Sequence, residues 1–215
     1  RPISTSTDRT CRLWRVSDES HLVFRGHKSS ADSVQLLTDD TFITGGQDGA
    51  LHVWKESQKK PVATATAAHG YESACNPNWI SALATIKMSN IAVSGSCDGS
   101  VRLWNASAES RVLNEVATLA TEGFINSIAI SPRVLVLGTG REHRWGRWWC
   151  MKGNKNKVSI MKFPTDLDLC IPLEDGEQFD DEDSQSVTSS GSDSQEDDDE
   201  EEGKVEDEEE EDGYE

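Results

Sequence analysis

Residues 94–104 read Ser94-Gly95-Ser96-Cys97-Asp98-Gly99-Ser100-Val101-Arg102-Leu103-Trp104. Small residues run into an Asp-Gly pair, after which Val101 and Leu103 alternate with Arg102 and Trp104. This is the pattern of two short strands joined by a tight hairpin, with Asp98 and Gly99 at the turn. The unit recurs on both sides. Asp8 lies six residues before Trp14, Asp48 six before Trp54, Asp98 six before Trp104 and Glu142 six before Trp148; successive tryptophans are 40, 50 and 44 residues apart.

A period of about 40 to 45 residues with four short strands per unit marks a β-propeller of the WD-repeat (WD40) type. Unrelated hairpins that merely share a turn would not hold one offset through four copies. The expected fold is all-β, a partial WD40 propeller of about three and a half blades followed by a disordered acidic tail.

Charge divides the chain at the same place. The 215 residues carry a formal net charge of −18, but residues 166–215 hold 25 acidic residues against Lys204 alone, a net of −24. Residues 1–165 are left with +6. The expected organisation is thus a mildly basic folded body, 1–165, and a polyanionic tail, 166–215, an asymmetry that points to nucleic-acid or basic-protein partners. Cys11, Cys75, Cys97, Cys150 and Cys170 are scattered and odd in number, with no C-x-x-C pair, so they read as reduced, mostly buried thiols of an intracellular protein. No apolar run approaches the ~18 residues that cross a membrane, and no signal-peptide pattern is present. Because Arg1 already stands inside a strand-turn-strand unit, the chain reads as a fragment whose N-terminal part is absent.

In the first blade, Ile3 to Thr7 and Thr10 to Trp14 are expected as inner strands and His21 to Phe24 as the outer one. Gly26-His27 follows, and the second blade reads Ser33 to Leu37, Thr41 to Thr44, Ala50 to Trp54 and Pro61 to Ala65. In WD repeats a His, a Ser or Thr, an Asp and a Trp form a hydrogen-bonded network inside the blade; by resemblance these are His27, Thr44, Asp48 and Trp54, with a structural role. The third blade reads Trp79 to Ala84, Ile91 to Ser94, Ser100 to Trp104 and Arg111 to Ala117, after a Gly70 to Asn78 loop that is either a binding feature or a solvated insertion. Ser94, Asp98 and Trp104 repeat the network, and His69 is its candidate histidine, although its context is Ala68-His69-Gly70 rather than Gly-His.

The fourth blade departs from the pattern. Phe124 to Ile130 and Val134 to Leu137 are its first two strands. Arg141-Glu142-His143-Arg144-Trp145-Gly146-Arg147-Trp148-Trp149 then stands where the Asp-Gly turn and third strand are expected, and Val158 to Phe163 forms the outer strand. Cations interleaved with aromatics suit RNA, since guanidinium groups pair with phosphates and flat rings stack on unpaired bases. Arg141, His143, Arg144 and Arg147, with Lys152 and Lys155 beyond them, are the candidate RNA-binding residues. The alternative is that the tryptophans pack the blade and the cations form a solvated rim.

The run Gly123-Phe124-Ile125-Asn126-Ser127, with Gly138-Thr139-Gly140 and the Arg141 to Trp149 segment, resembles the last blades of the U3 small nucleolar RNA-interacting WD-repeat family. Leu22-Val23-Phe24-Arg25-Gly26-His27 and Asp48-Gly49-Ala50-Leu51-His52-Val53-Trp54 agree with it, and the resemblance covers about residues 3–163. It implies a non-enzymatic ribonucleoprotein subunit, built on a seven-bladed propeller of which this chain supplies the last three blades and part of a fourth. Such a subunit recognises the box B/C element of U3 small nucleolar RNA beside a kink-turn-binding protein and other small-subunit processome proteins. Its setting is pre-ribosomal RNA processing and ribosome biogenesis in the nucleolus of the nucleus. The alternative is a protein-only WD40 scaffold, a histone-binding or ubiquitin-ligase adaptor.

The tail is expected to be disordered on composition. Ser190 and Ser194 each have an Asp three residues on, the context of casein-kinase-like phosphorylation, which deepens the charge. The tail either solubilises the chain, contacts basic proteins, or competes with RNA for the basic face. No His pair at metal-ligand spacing, no nucleophile elbow and no phosphate-binding loop occurs, so neither an enzyme nor a cofactor or metal is expected.

Overall fold

The computed structural model describes residues 1–163. The expected tail, with Cys170, Ser190 and Ser194, lies outside the described residues.

Four antiparallel sheets follow one another along the chain. The first holds β1 (Ile3–Thr5), β2 (Thr10–Arg15) and β3 (Ser20–Arg25). The second holds β4 (Ala31–Leu36), β5 (Thr41–Gly46), β6 (Leu51–Lys55) and β7 (Ala63–Ala65). The loop before the third blade is itself a two-stranded ribbon, β8 (Tyr71–Ser73) with β9 (Asn76–Pro77). The third sheet is β10 (Ala82–Thr85), β11 (Ile91–Gly95), β12 (Ser100–Ser107) and β13 (Val112–Ala120). Trp79, expected to open this sheet, precedes it.

The fourth blade corrects the sequence reading. Its sheet is β14 (Phe124–Ile130), β15 (Val134–Gly140) and β18 (Lys157–Lys162), while β16 (Glu142–His143) and β17 (Gly146–Cys150) pair only with each other. The third strand is therefore β18, not the segment ending at Trp149. The register shows which residue stands in for the blade tryptophan. Trp54 lies opposite Phe42, two residues before Thr44, and Trp104 opposite Ala92, two before Ser94. In the fourth blade that place belongs to Ile160, opposite Val136 and two before Gly138. The Glu142-to-Trp148 offset imitates the repeat within an inserted hairpin.

The core lies between blades, because each sheet is apolar on both faces and adjacent blades share a layer. Phe24, Leu13, Phe42 and Trp54 pack between blades 1 and 2. Ile43, Leu51, Val53, Ile80 and Trp104 pack between blades 2 and 3, and Val93, Leu103, Ile125, Leu135 and Leu137 between blades 3 and 4. Burial of each such side chain stabilises by about 1.5–3 kcal/mol. Glycines set the spacing. A Cβ on Gly45 would fall 2.5 Å from Ile80 Cγ2, and one on Gly95 would collide with Ile125 in the same way one blade later. Cys11 and Cys97 are buried, whereas Cys75 and Cys150 are exposed, so only half of the described thiols fit the expectation of mostly buried cysteines. Among the described residues, no helix is long and apolar enough to cross a membrane.

Candidate nucleic-acid interface

The hairpin β16–β17 is held at its base by two asparagines. Asn126 Nδ2 donates to the Glu142 carbonyl at 2.9 Å, and the Arg144 amide donates back to Asn126 Oδ1 at 2.9 Å. The Arg141 amide donates to Asn156 Oδ1, also at 2.9 Å. Backbone groups that leave a sheet need such partners, and here one side chain from β14 and one from the turn before β18 supply them.

Aromatic packing fixes the hairpin laterally. The His143 ring stacks on Trp149 with centroids 6.2 Å apart, and it meets Trp79 and Phe124 edge-on at 5.9 and 5.7 Å. His143 is 5% exposed, and its Nδ1 accepts from the Trp145 amide at 3.2 Å. Burial, with Arg144 nearby, lowers its pKa. A neutral ring closed inside an aromatic cluster offers no charge to a phosphate, so His143 anchors the hairpin instead of standing among the surface cations.

The arginines separate into different positions. Arg144 Nη2 donates to the Asp32 carbonyl at 3.2 Å and reaches Ser33 Oγ at 3.4 Å, tying the hairpin to blade 2. Its guanidinium thereby joins Gln35, Leu83 and Ser127 around the opening between the inner strands. Arg147 has a side chain 90% exposed and Arg141 one 55% exposed, 3.4 and 3.6 Å from opposite oxygens of Glu142. Lys152 and Lys155 are exposed on the following turn. Trp145, at the hairpin tip, is 54% exposed, and the Arg144 guanidinium carbon lies 5.2 Å from its ring centroid. A large aromatic face presented beside a cation is able to stack on a base. Residue counting did not separate Trp145 from its neighbours. The signal available was Trp-Gly at the midpoint of a polar-flanked hairpin.

The four-residue sets inside blades 2 and 3 come together. His27 Nδ1 lies 3.1 Å from Asp48 Oδ1 and its Nε2 lies 2.8 Å from Thr44 Oγ1, which also accepts from Trp54 Nε1 at 2.8 Å. His69 Nδ1 lies 2.9 Å from Asp98 Oδ2, its Nε2 lies 2.8 Å from Ser94 Oγ, and Trp104 Nε1 donates to that oxygen at 2.8 Å. The Ala-His-Gly context thus does not prevent His69 from reaching Asp98.

Residues 19–55 and 68–105 match the family model described as WD domain, G-beta repeat. A human protein named U3 small nucleolar RNA-interacting protein 2 is 37% identical over 148 residues, covering 66% of this chain and 31% of that protein. A U3 snoRNP-associated protein-like relative from Arabidopsis thaliana is 34% identical over 171 residues, covering 74% of this chain and 36% of its own length. The solved structure titled Structure of U3-55K superposes with a TM-score of 0.72 at 35% identity, over 75% of this chain and 51% of that one. The chain spans about a third of the length of the curated relatives it matches.

Proposed function

Given that the chain belongs to the WD-repeat family and is homologous to U3 small nucleolar RNA-interacting proteins, we propose that it acts as an RNA-contacting part of a U3 small nucleolar ribonucleoprotein, in ribosomal RNA processing. The names of the relatives support this reading at the level of the particle. The single observation that carries it to residues is the hairpin tip, where exposed Trp145 stands beside Arg144, with the exposed side chains of Arg147, Lys152 and Lys155 close by in sequence to meet phosphates.

The division of labour follows from position. Arg147, Lys152 and Lys155 supply charge, Trp145 supplies a stacking face, and Arg144, His143, Asn126 and Asn156 hold the hairpin in place. Arg141 serves both sets, because its amide anchors the strand while its guanidinium is half exposed. The RNA is the box B/C region of U3, read beside a kink-turn-binding protein and other small-subunit processome proteins in the nucleolus. The chain works without catalysis. The acidic tail offers basic proteins a second contact.

Ultraviolet crosslinking of the protein in cells, with sequencing of the bound RNA, tests the proposal. Enrichment of the U3 box B/C region is expected. RNA at background level, with histones or ubiquitin-ligase subunits recovered instead, would establish the protein-only scaffold.

A further inference from the structure

The repeats allow each blade to be compared with its sisters at the turn aspartate. Two residues after it, Thr10 Oγ1 donates to Asp8 at 2.6 Å and Ser100 Oγ to Asp98 at 2.6 Å. Four residues after it, Arg12 Nη2 lies 2.7 Å from Asp8 and Arg102 Nη2 lies 3.7 Å from Asp98. Blade 2 has neither donor. Ala50 replaces the hydroxyl and His52 replaces the arginine.

What blade 2 has instead is an unused nitrogen. His52 is 6% exposed, and its Nδ1 is engaged with Thr64 Oγ1 at 2.9 Å. Its Nε2 is buried without a hydrogen-bond partner. One ligand atom each from His27, Asp48 and His52 lie within 4.8 Å of one another. Asp48 and His52 also line a cavity of about 420 Å³ shared with Lys28, Tyr71 and Cys75.

We propose that His27 Nδ1, an Asp48 carboxylate oxygen and His52 Nε2 form a three-ligand site for a divalent transition ion of the zinc class, its fourth position open to the cavity. Two imidazoles and a carboxylate are a donor set such ions accept. Metal–ligand bonds of about 2.0–2.1 Å place tetrahedral ligand atoms roughly 3.3 Å apart. The His27 Nδ1 to Asp48 separations of 3.1 and 3.2 Å already match that edge. His52, whose ligand atom lies within 4.8 Å of the other two, completes the site by turning toward them. His27 binds as its Nε2–H tautomer, the proton leaving Nδ1 being matched by one taken up at Nε2. His27 Nε2–H then donates to Thr44 Oγ1, the outer contact that orients a ligating histidine. The ion gives Asp48 the positive partner that arginine gives Asp8 and Asp98. Blade 3 has the same His-Asp pair but places Arg102 where the third ligand would be, so it is excluded from binding.

Titration of the full chain with Co²⁺ alone, followed by visible absorption, tests the site. One equivalent is expected to give the strong visible bands of tetrahedral nitrogen and oxygen ligation, and Zn²⁺ is expected to displace it. His52→Arg, which restores the sister-blade arrangement, weakens that binding more than about 100-fold, beyond the cost of losing an outer-shell partner, while its Tm equals or exceeds that of the parent. His52→Gln gives the same loss of binding without adding a charge. The proposal is overturned by the pale spectrum that Co²⁺ shows on carboxylates alone, or by strong bands that persist in both variants.

Discussion

Arg144 of the hairpin donates from Nη2 to the carbonyl oxygen of Asp32, 3.2 Å away and 112 residues earlier in the chain. An arginine that resembles an RNA contact in sequence is thus a brace between blades 4 and 2. Burial lowers its pKa, but a guanidinium stays charged throughout the working range.

The brace separates two arginines that look alike. Arg144→Ala removes a charged hydrogen-bond donor and should destabilise by about 1 kcal/mol, since part of the guanidinium is solvated. Arg147→Ala should stay within about 0.5 kcal/mol. Urea unfolding of both variants checks this, and equal losses would mean that Arg144 carries no structural load.

The turn aspartates set the acid limit of the fold. Burial alone would raise the Asp98 carboxyl, but hydrogen bonds and charge interaction with His69, joined by hydrogen bonds from Ser100, hold it below its usual range. A carboxyl depressed in the folded state stabilises fully above its unfolded value of about 3.9, and that contribution is lost as pH falls through the folded pKa. Asp98→Ala should cost about 2 kcal/mol at pH 7 by leaving the buried His69 Nδ1 and the Ser100 hydroxyl without their acceptor. It should also flatten the decline in stability below about pH 4. Thermal melts from pH 3 to 7 measure both.

His52 acts in a higher window. Its pKa falls from 6.5 to about 4 through burial, so its contribution to stability is complete above pH 6.5 and is lost as pH drops toward 4. His52→Gln should remove the slope between those values. A slope unchanged in the variant would assign it to another group.

Much of the propeller was legible because its determinants are local. The Asp-to-Trp offset of six marks β-hairpins whose register the structure repeats, with Trp54 opposite Phe42 and Trp104 opposite Ala92. The same offset misled at Glu142 and Trp148. A two-stranded insertion preserves spacing along the chain while leaving the sheet, and the alternation of Val158 and Ile160 that marks β18 as the third strand serves an outer strand equally well. Neither the burial of His143 nor the reach of Arg144 could be read, because both depend on partners far away in sequence, Trp79 and Asp32. His52 reads as an ordinary alternating strand residue. Only the sister arginines, Arg12 and Arg102, show what its place normally holds.

Blade spacing makes the interface between blades 3 and 4 sensitive to one atom. Gly95 faces Ile125 so closely that any Cβ must displace it. Gly95→Val should therefore destabilise by about 3 kcal/mol through overpacking. A double variant with Ile125→Ala should recover part of that loss, which denaturant unfolding of the three proteins would show.

Contact between the hairpin tip and RNA is tested most directly by the affinity of the full chain for a U3 box B/C RNA, measured against salt concentration. Replacing Trp145 and Arg147 together with alanine should lower affinity by at least about tenfold, from the loss of one stacked base and one phosphate contact. The salt slope should shrink by about one, with Tm unchanged. Affinity and slope equal to those of the parent would contradict the account and leave the hairpin a packing element.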